Sequence, residues 1–320
     1  MKPKIFTTVP LPEKVEKNIS EYCEIDKWTG DRSIPRHILL EKIKDVVGLY
    51  STGVGIDEEL LRHAPNLKIV SNVSVGYNNF DLEAMKRFNV IGTNTPYVLD
   101  ESVADLTFAL ILNAARRISE LDRMVKEGQW GKSDDDKEYF GVDVNSTKLG
   151  IIGMGRIGKA LARRAKLGFN MDVLYYNRNR KLDVEEEYGV KYADLQSLLE
   201  HSDFVVLLTP LTPDTYHLIG EKEFKLMKKS AFFINVSRGQ TVDEQALISA
   251  LQNKEIKGAG LDVFTKEPIE PKNLLLQLNN VVVTPHIGSA TERTREDMAV
   301  RAAQNLVAVV TGKDPIDRVI

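Results

Sequence analysis

Short apolar runs alternate along this chain with stretches whose apolar residues recur every three or four positions. Lys4 to Thr8, Val46 to Tyr50, Leu67 to Val73 and Val90 to Gly92 read as strands. Helices are predicted between them over Leu11 to Ile19, Pro35 to Ile43, Asp57 to His63 and Leu82 to Phe88, the last capped by Asp81. A long helix from near Glu101 to about Ile118 then follows with no intervening strand, and is read as the crossing into a second domain. Beyond it, Lys126 to Thr147 carries a charge run, Lys132 to Glu138, that suits a solvated arm or one embracing a second subunit. The alternation restarts with strands over Lys148 to Ile152, Asp172 to Tyr176, Phe204 to Leu208, Ala231 to Val236, Gly258 to Val263 and Asn280 to Thr284. The final segment, Thr291 to Thr311, reads as one amphipathic helix with Met298, Ala302, Leu306 and Val309 on a shared face, long enough to return to the first domain.

Strand–helix alternation of this kind implies α/β architecture with parallel sheets covered on both faces. The pattern predicts two doubly wound domains, residues 1–98 with 292–320 and residues 99–291. A length of 320 residues and a hydrophobic share of 42% agree with two folded units. A net charge of -3 implies neither a nucleic-acid footprint nor a basic membrane patch. The one cysteine, Cys23, excludes an internal disulfide and reads as an inert core thiol around which no metal cluster can be built. Met1 to Phe6 runs straight into a strand without the apolar stretch of a signal peptide or membrane span, so a soluble, cytoplasmic protein is expected.

The first candidate chemistry lies where the strand Lys148 to Ile152 opens into Gly153-Met154-Gly155-Arg156-Ile157-Gly158 and then into a helical stretch. Strand before and helix after give this GxGxxG its meaning as a dinucleotide cradle. Gly153 serves the tight turn, Gly155 the approach of a pyrophosphate, and Gly158 close helix–strand packing, while the helix amino end offers unpaired N–H groups. The next strand ends at Asn177-Arg178-Asn179-Arg180 rather than at the carboxylate that would read a free ribose hydroxyl. Asn177 and Asn179 repel no phosphate, and Arg178 and Arg180 can grip one, so NADP(H) is expected in preference to NAD(H). The alternative, that the two arginines are ordinary surface charges, stays open at this level.

Three titratable residues stand just beyond late strands: Arg238, after Val236 and Ser237; Glu267, in Thr265-Lys266-Glu267-Pro268; and His286, in Thr284-Pro285-His286-Ile287-Gly288. Ligands bind outside those carboxyl ends in parallel sheets. Singly, each has a plain explanation as a surface pair, a loop charge or a core imidazole. Together with Val73 to Asp81, Glu101 to Asp105, Thr209 to Thr215, Phe224 to Gly239 and Gly260 to Phe264, they make the chain resemble the D-isomer-specific 2-hydroxyacid dehydrogenases, in the glyoxylate, hydroxypyruvate and 2-ketogluconate reductase branch.

The resemblance implies a Rossmann dinucleotide-binding domain, a flavodoxin-like substrate domain and an active site in the cleft between them. Arg238 would hold the carboxylate and carbonyl oxygen of a 2-oxo acid, His286 would protonate that oxygen as hydride arrives, and Glu267 would orient the imidazole. Val75 and Gly76 match a loop whose amides meet the carboxylate. Thr107, Arg156, Ile157, Thr209, Pro210, Thr215, Val236, Ser237, Asp262, His286 and Gly288 match cofactor-lining positions. No metal is implied, and a homodimer is. Two departures are visible: Asn145 stands where a glycine often precedes the first strand, its tolerance of a left-handed conformation making the change minor, and Asn177 replaces an aspartate. An NAD-dependent phosphoglycerate dehydrogenase is the alternative within the enzymes. A dinucleotide-sensing, corepressor-like binding module is the alternative outside them.

Overall fold

The computed structural model describes residues 2–131 and 135–320. The backbone divides into two compact units, Met1–Leu99 with Ala290–Ile320, and Asp100–Ser289. Each carries one parallel sheet.

In the first unit the strands are β1 (Lys4–Thr7), β2 (Glu24–Lys27), β3 (Gly48–Ser51), β4 (Ile69–Asn72) and β5 (Ile91–Thr93), in the order β2-β1-β3-β4-β5. All pair in parallel, the doubly wound order of flavodoxin-like domains. The helices between them are α1 (Glu13–Tyr22), α2 (Arg36–Lys42), α3 (Glu58–His63) and α4 (Leu82–Arg87). Asp57 and Asp81 cap the last two by accepting from Leu60 N and Ala84 N. Phe6, Leu49, Val70, Leu60 and Met85 form part of the core beneath them. Strand β2 was absent from the sequence pattern, because it is an edge strand with Ile25 as its only aliphatic residue and no fully buried position. Cys23 is buried, and that burial pushes its thiol up to about 11, the unreactive side of the scale.

The helix predicted at the end of the chain belongs to this unit, and Thr291 caps it by accepting from Thr294 N. It lies on β3 and β4, where Tyr50 Oη donates to Ala299 O at 3.0 Å and Ser71 Oγ to Ala302 O at 2.7 Å. Alanines at 299, 302 and 303 permit that approach. After the helix the chain meets β5, Val319 N donating to Gly92 O at 2.8 Å. Asp317 anchors the segment by taking both Nε and Nη2 of Arg301.

The second unit begins with α5 (Asp100–Arg116) and α6 (Ile118–Lys126). The helix expected from near Glu101 to about Ile118 is α5, which stops before Arg117, whose φ of 56° is left-handed, and α6 beyond it was not expected. Asn113 and Ser119 exchange hydrogen bonds across it, and the Arg117 guanidinium binds Glu120. Of the charge run that follows, Lys132, Ser133 and Asp134 lie outside the described residues, and Asp136–Tyr139 forms a short 3-10 turn.

The seven strands are β6 (Lys148–Ile152), β7 (Asp172–Tyr176), β8 (Lys191–Tyr192), β9 (Phe204–Leu207), β10 (Phe232–Asn235), β11 (Gly258–Leu261) and β12 (Val281–Val283). Their order is β12-β11-β10-β9-β6-β7-β8, parallel throughout, with the reversal between β6 and β9. That is the Rossmann arrangement, which opens a ligand crevice at the reversal. Helices α7 (Arg156–Phe169), α8 (Leu182–Tyr188), α9 (Leu195–His201), α10 (Glu221–Leu226) and α11 (Glu244–Gln252) complete the unit, and the helix ending the chain is α12 (Glu292–Val310). One core packs α5 and α7 against residues including Tyr175 and Val206, and another packs α9, α10 and α11 against residues including Val205 and Phe233. Two-residue β8 was not predicted; it is an exposed edge. In the turn before β6 the left-handed residue is Ser146 (φ 59°), so the conformational argument made for Asn145 applies one position later.

Candidate active site

The second unit gathers its chemistry at the carboxyl edge of the sheet. Gly153 follows β6 with φ +108°, and a Cβ there would come within 2.9 Å of the Leu208 carbonyl carbon. Gly158 fits beneath it, since a Cβ on this residue would lie 2.5 Å from Gly153 O. Gly155 is different: no heavy atom lies within 4 Å of the position its Cβ would take, so protein packing does not demand glycine there. It is the N-cap of α7 and offers the first turn no side-chain acceptor. The amide-rich helix start therefore suits an anion that approaches closely, as a pyrophosphate does. Across the reversal, after β9, the hydroxyl oxygen of Thr209 is buried without a partner. The residues present fit a dinucleotide.

Other expected cofactor residues sort by what they already hold. Arg156 Nε pairs with Asp100 Oδ2 at 3.1 Å, and Ile157 is half-buried in the first turn of α7. Thr215 donates to Pro210 O at 2.6 Å and accepts from Thr212 N at 2.8 Å, which folds its own loop. Thr107 is fully buried and donates its hydroxyl to Val103 O, so it presents no open face. Ser237 is spent on Asn235, and Val236 packs against the core. After β7, Asn177 Nδ2 donates to Asn179 O, while Arg178 and Asn179 are exposed. Arg180, expected to reach a phosphate, is committed elsewhere: Nε and Nη2 both bind Glu185 at 2.7 Å. Arg180, and after it the hydroxyl of Tyr175, hold the Glu185 carboxyl down to about 2, so it is ionised at physiological pH.

Arg238 leaves the end of β10, its backbone carbonyl accepting from Asn235 Nδ2 (3.1 Å) and Thr241 Oγ1 (2.6 Å). Its guanidinium is half-buried, donates to Ser237 O at 2.6 Å, and is pulled below its usual pKa by burial while the charge of Glu267 acts the other way. His286 Nδ1 meets Glu267 Oε2 at 2.6 Å, and Glu267 Oε1 accepts from Phe264 N at 3.0 Å. With both carboxylate oxygens occupied, the imidazole is fixed through Nδ1. Burial opposes ionisation of Glu267, but the hydrogen bonds from His286 and Phe264 and the charges of His286 and Arg238 outweigh it and hold the carboxyl below its ordinary value. The stability this contributes is present above the unfolded pKa and is lost as pH falls through the lower folded one.

His286 itself sits at φ 53°, in a loop tied down by Asp262. One Asp262 oxygen accepts from Thr284 Oγ1 (2.7 Å) and Ile287 N (2.8 Å), the other from Gly288 N (2.9 Å). Gly288 O in turn accepts from Ser102 Oγ at 3.0 Å.

Val75 and Gly76 lie in the first unit and are not part of this group. Residues missed in the sequence explain their loop: Thr52 Oγ1, Thr95 N, Asn94 Nδ2 and Asn72 Nδ2 donate to the carbonyls of Val73, Ser74, Val75 and Gly76 respectively. A trans peptide points its N–H opposite its C=O. Pinning the carbonyls inward therefore turns the Val75 and Gly76 amides outward, a geometry for an anion.

The edge of the second sheet suits hydride exchange with a nicotinamide, the ground plan of dinucleotide-dependent oxidoreductases. The model of the D-isomer specific 2-hydroxyacid dehydrogenase NAD binding domain matches residues 108–288. The chain is 49% identical over 319 residues to the glyoxylate reductase of Thermococcus litoralis, covering 98% of this chain and 96% of that protein. It is 45% identical over 314 residues to glyoxylate/hydroxypyruvate reductase B of an Enterobacter species, covering 98% and 96%. The crystal structure of the NADPH-dependent glyoxylate/hydroxypyruvate reductase of Sinorhizobium meliloti, in complex with NADP and malonate, superposes with a TM-score of 0.86 at 30% identity, covering 100% of this chain and 97% of that one. The chain belongs to the D-isomer-specific 2-hydroxyacid dehydrogenase family.

Proposed function

We propose that this protein uses NADPH to reduce a small 2-oxo acid, glyoxylate, hydroxypyruvate or 2-ketogluconate, to the D-2-hydroxy acid in the cytoplasm. The observation that carries the reading is the 2.6 Å contact of His286 Nδ1 with Glu267, at the same sheet edge as Arg238 and the glycine-rich turn. The cofactor would lie across Gly153, Gly155, Arg156, Ile157 and Gly158, and would supply the hydride. Asn177, Arg178 and Asn179 would read its adenosine ribose, with Thr209, Pro210, Thr215, Val236, Ser237, Asp262 and Gly288 as further lining. Arg238 holds the substrate carboxylate and polarises the carbonyl, a task for a planar, permanently charged donor. His286 Nε2 delivers the proton, and Glu267 keeps the ring oriented for it. In the first unit the Val75 and Gly76 amides would receive a carboxylate. The apolar side chains of Ile118, Val125, Trp130 and Phe140, exposed in this single chain, support a homodimer that covers them.

The test is absorbance at the nicotinamide band with NADPH or NADH and a panel of 2-oxo acids, phosphohydroxypyruvate included. Consumption of NADPH with the three named acids is expected. A flat trace with cofactor still bound would favour a sensor, and turnover restricted to NADH and phosphohydroxypyruvate would favour the phosphoglycerate enzyme. Asn177→Asp puts a carboxylate beside the ribose phosphate, so the ratio of kcat/KM for NADPH over NADH should fall about tenfold or more. An unchanged ratio would remove Asn177 from the specificity argument.

A further inference from the structure

The loop that carries Glu267 is held by two side chains with no role in the reading above. Thr265, two residues before Glu267, is gripped on both edges of its backbone: its N–H donates to Glu244 Oε2 at 3.1 Å, and its carbonyl accepts from Gln240 Nε2 at 2.8 Å. The other Glu244 oxygen accepts from Asn273 Nδ2 at 2.8 Å. One carboxylate thus spans the loop from Thr265 to Asn273, with Glu267 between its two points of attachment. Capping does not account for this placement, because Asp243 already caps α11 by accepting from Gln245 N and Ala246 N. Gln240 follows Arg238 by two residues, and a Cβ on the intervening Gly239 would overlap the Phe264 carbonyl. The Arg238 segment and the Glu267 loop are therefore seated directly on one another.

We propose that Glu244, assisted by Gln240, is a positioning residue that sets the Glu267 carboxylate against His286 Nδ1; this rests on the acid-and-orienter reading of His286 and Glu267. Neither residue touches the reacting atoms. Their effect passes through the Thr265 peptide and the Phe264 N to Glu267 Oε1 bond beside it. The charged groups that face Glu267 are His286 and Arg238, while Lys266 on the same loop is paired outward with Glu270 at 2.5 Å. Loosening the loop leaves the imidazole without a fixed partner on Nδ1.

Glu244→Gln tests this, because its amide NH2 must then face a donor, either Thr265 N–H or Asn273 Nδ2. Reduction should slow by about tenfold to a hundredfold in kcat, the alkaline limb of the rate profile should move to lower pH, and the KM for NADPH should not change. Glu244→Gln with Asn273→Asp restores matched donors and acceptors and keeps the net charge, and should recover rate and profile together. Gln240→Ala, which removes only the bond to Thr265 O, should shift the limb in the same direction by less. A Glu244→Gln enzyme with the parental profile, or one slowed with no shift in profile and no rescue by the double variant, overturns the proposal. Glu267→Gln is the separate control: parental rate and profile there would overturn the underlying reading and this inference with it, whereas an impaired Glu267→Gln beside a normal Glu244→Gln overturns the inference alone.

Discussion

Replacing His286 with Gln is expected to slow 2-oxo acid reduction by about a hundredfold to ten-thousandfold, the range for removing a general acid, while NADPH still binds. Gln has no proton to give up near neutral pH and its amide falls near the place of Nε2 rather than Nδ1, while the loop is braced separately by Asp262 and should hold its shape. The loss then reports proton delivery rather than folding. Stopped-flow reduction with saturating NADPH, beside cofactor titration by fluorescence, separates the two. Parental turnover in His286→Gln would dismiss the imidazole as the acid. The sign of the pH dependence follows from the same role: reduction consumes a proton, so kcat/KM for reduction should fall as pH rises, and oxidation of the hydroxy acid should fall in the opposite direction.

Gly239→Ala should do comparable damage by another route. The added methyl would occupy the space of the Phe264 carbonyl, which is backbone and cannot swing aside as a long side chain can. Overpacking of this kind costs about 1–3 kcal/mol and at times more. Thermal unfolding should move down by several degrees, and kcat should drop with it because the same peptide seats both Arg238 and Glu267. Gly155→Ala is the contrast, since its Cβ meets no protein atom. That variant should keep its melting temperature and lose dinucleotide affinity. A Gly239→Ala protein with parental stability and rate would show that the two loops separate without penalty.

What was legible in the sequence follows burial. Strands β3, β9, β10 and β11 are buried at every position and read as largely apolar runs, whereas β2 and β8 lie at sheet edges and show mostly polar residues that are half-covered or exposed. The end of the helix before Arg117 was legible to within two residues, but not the helix after it: α6 buries no residue, and it starts beyond the left-handed Arg117, where reciprocal bonds between Asn113 and Ser119 hold the break. Arg238, Glu267 and His286 were placed by family resemblance, and the strand ends explain why three scattered positions meet. The ion pair of Arg180 was not legible, because its partner Glu185, in the first turn of α8, reads as an ordinary surface acid. Glu244, Gln240 and Asn94 carried no signal at all, since each acts on a backbone group at least nineteen residues away in the chain.

The first unit is closed by α12, which arrives only after the whole of the second unit has been threaded through the chain. On a ribosome the opening strands must therefore wait, with the face that receives Ala299 and Ala302 uncovered, while the intervening Rossmann sheet can fold to completion. Biosynthesis and sequence order part company here: the unit that starts first finishes last, and its early strands stay uncovered for longest during translation.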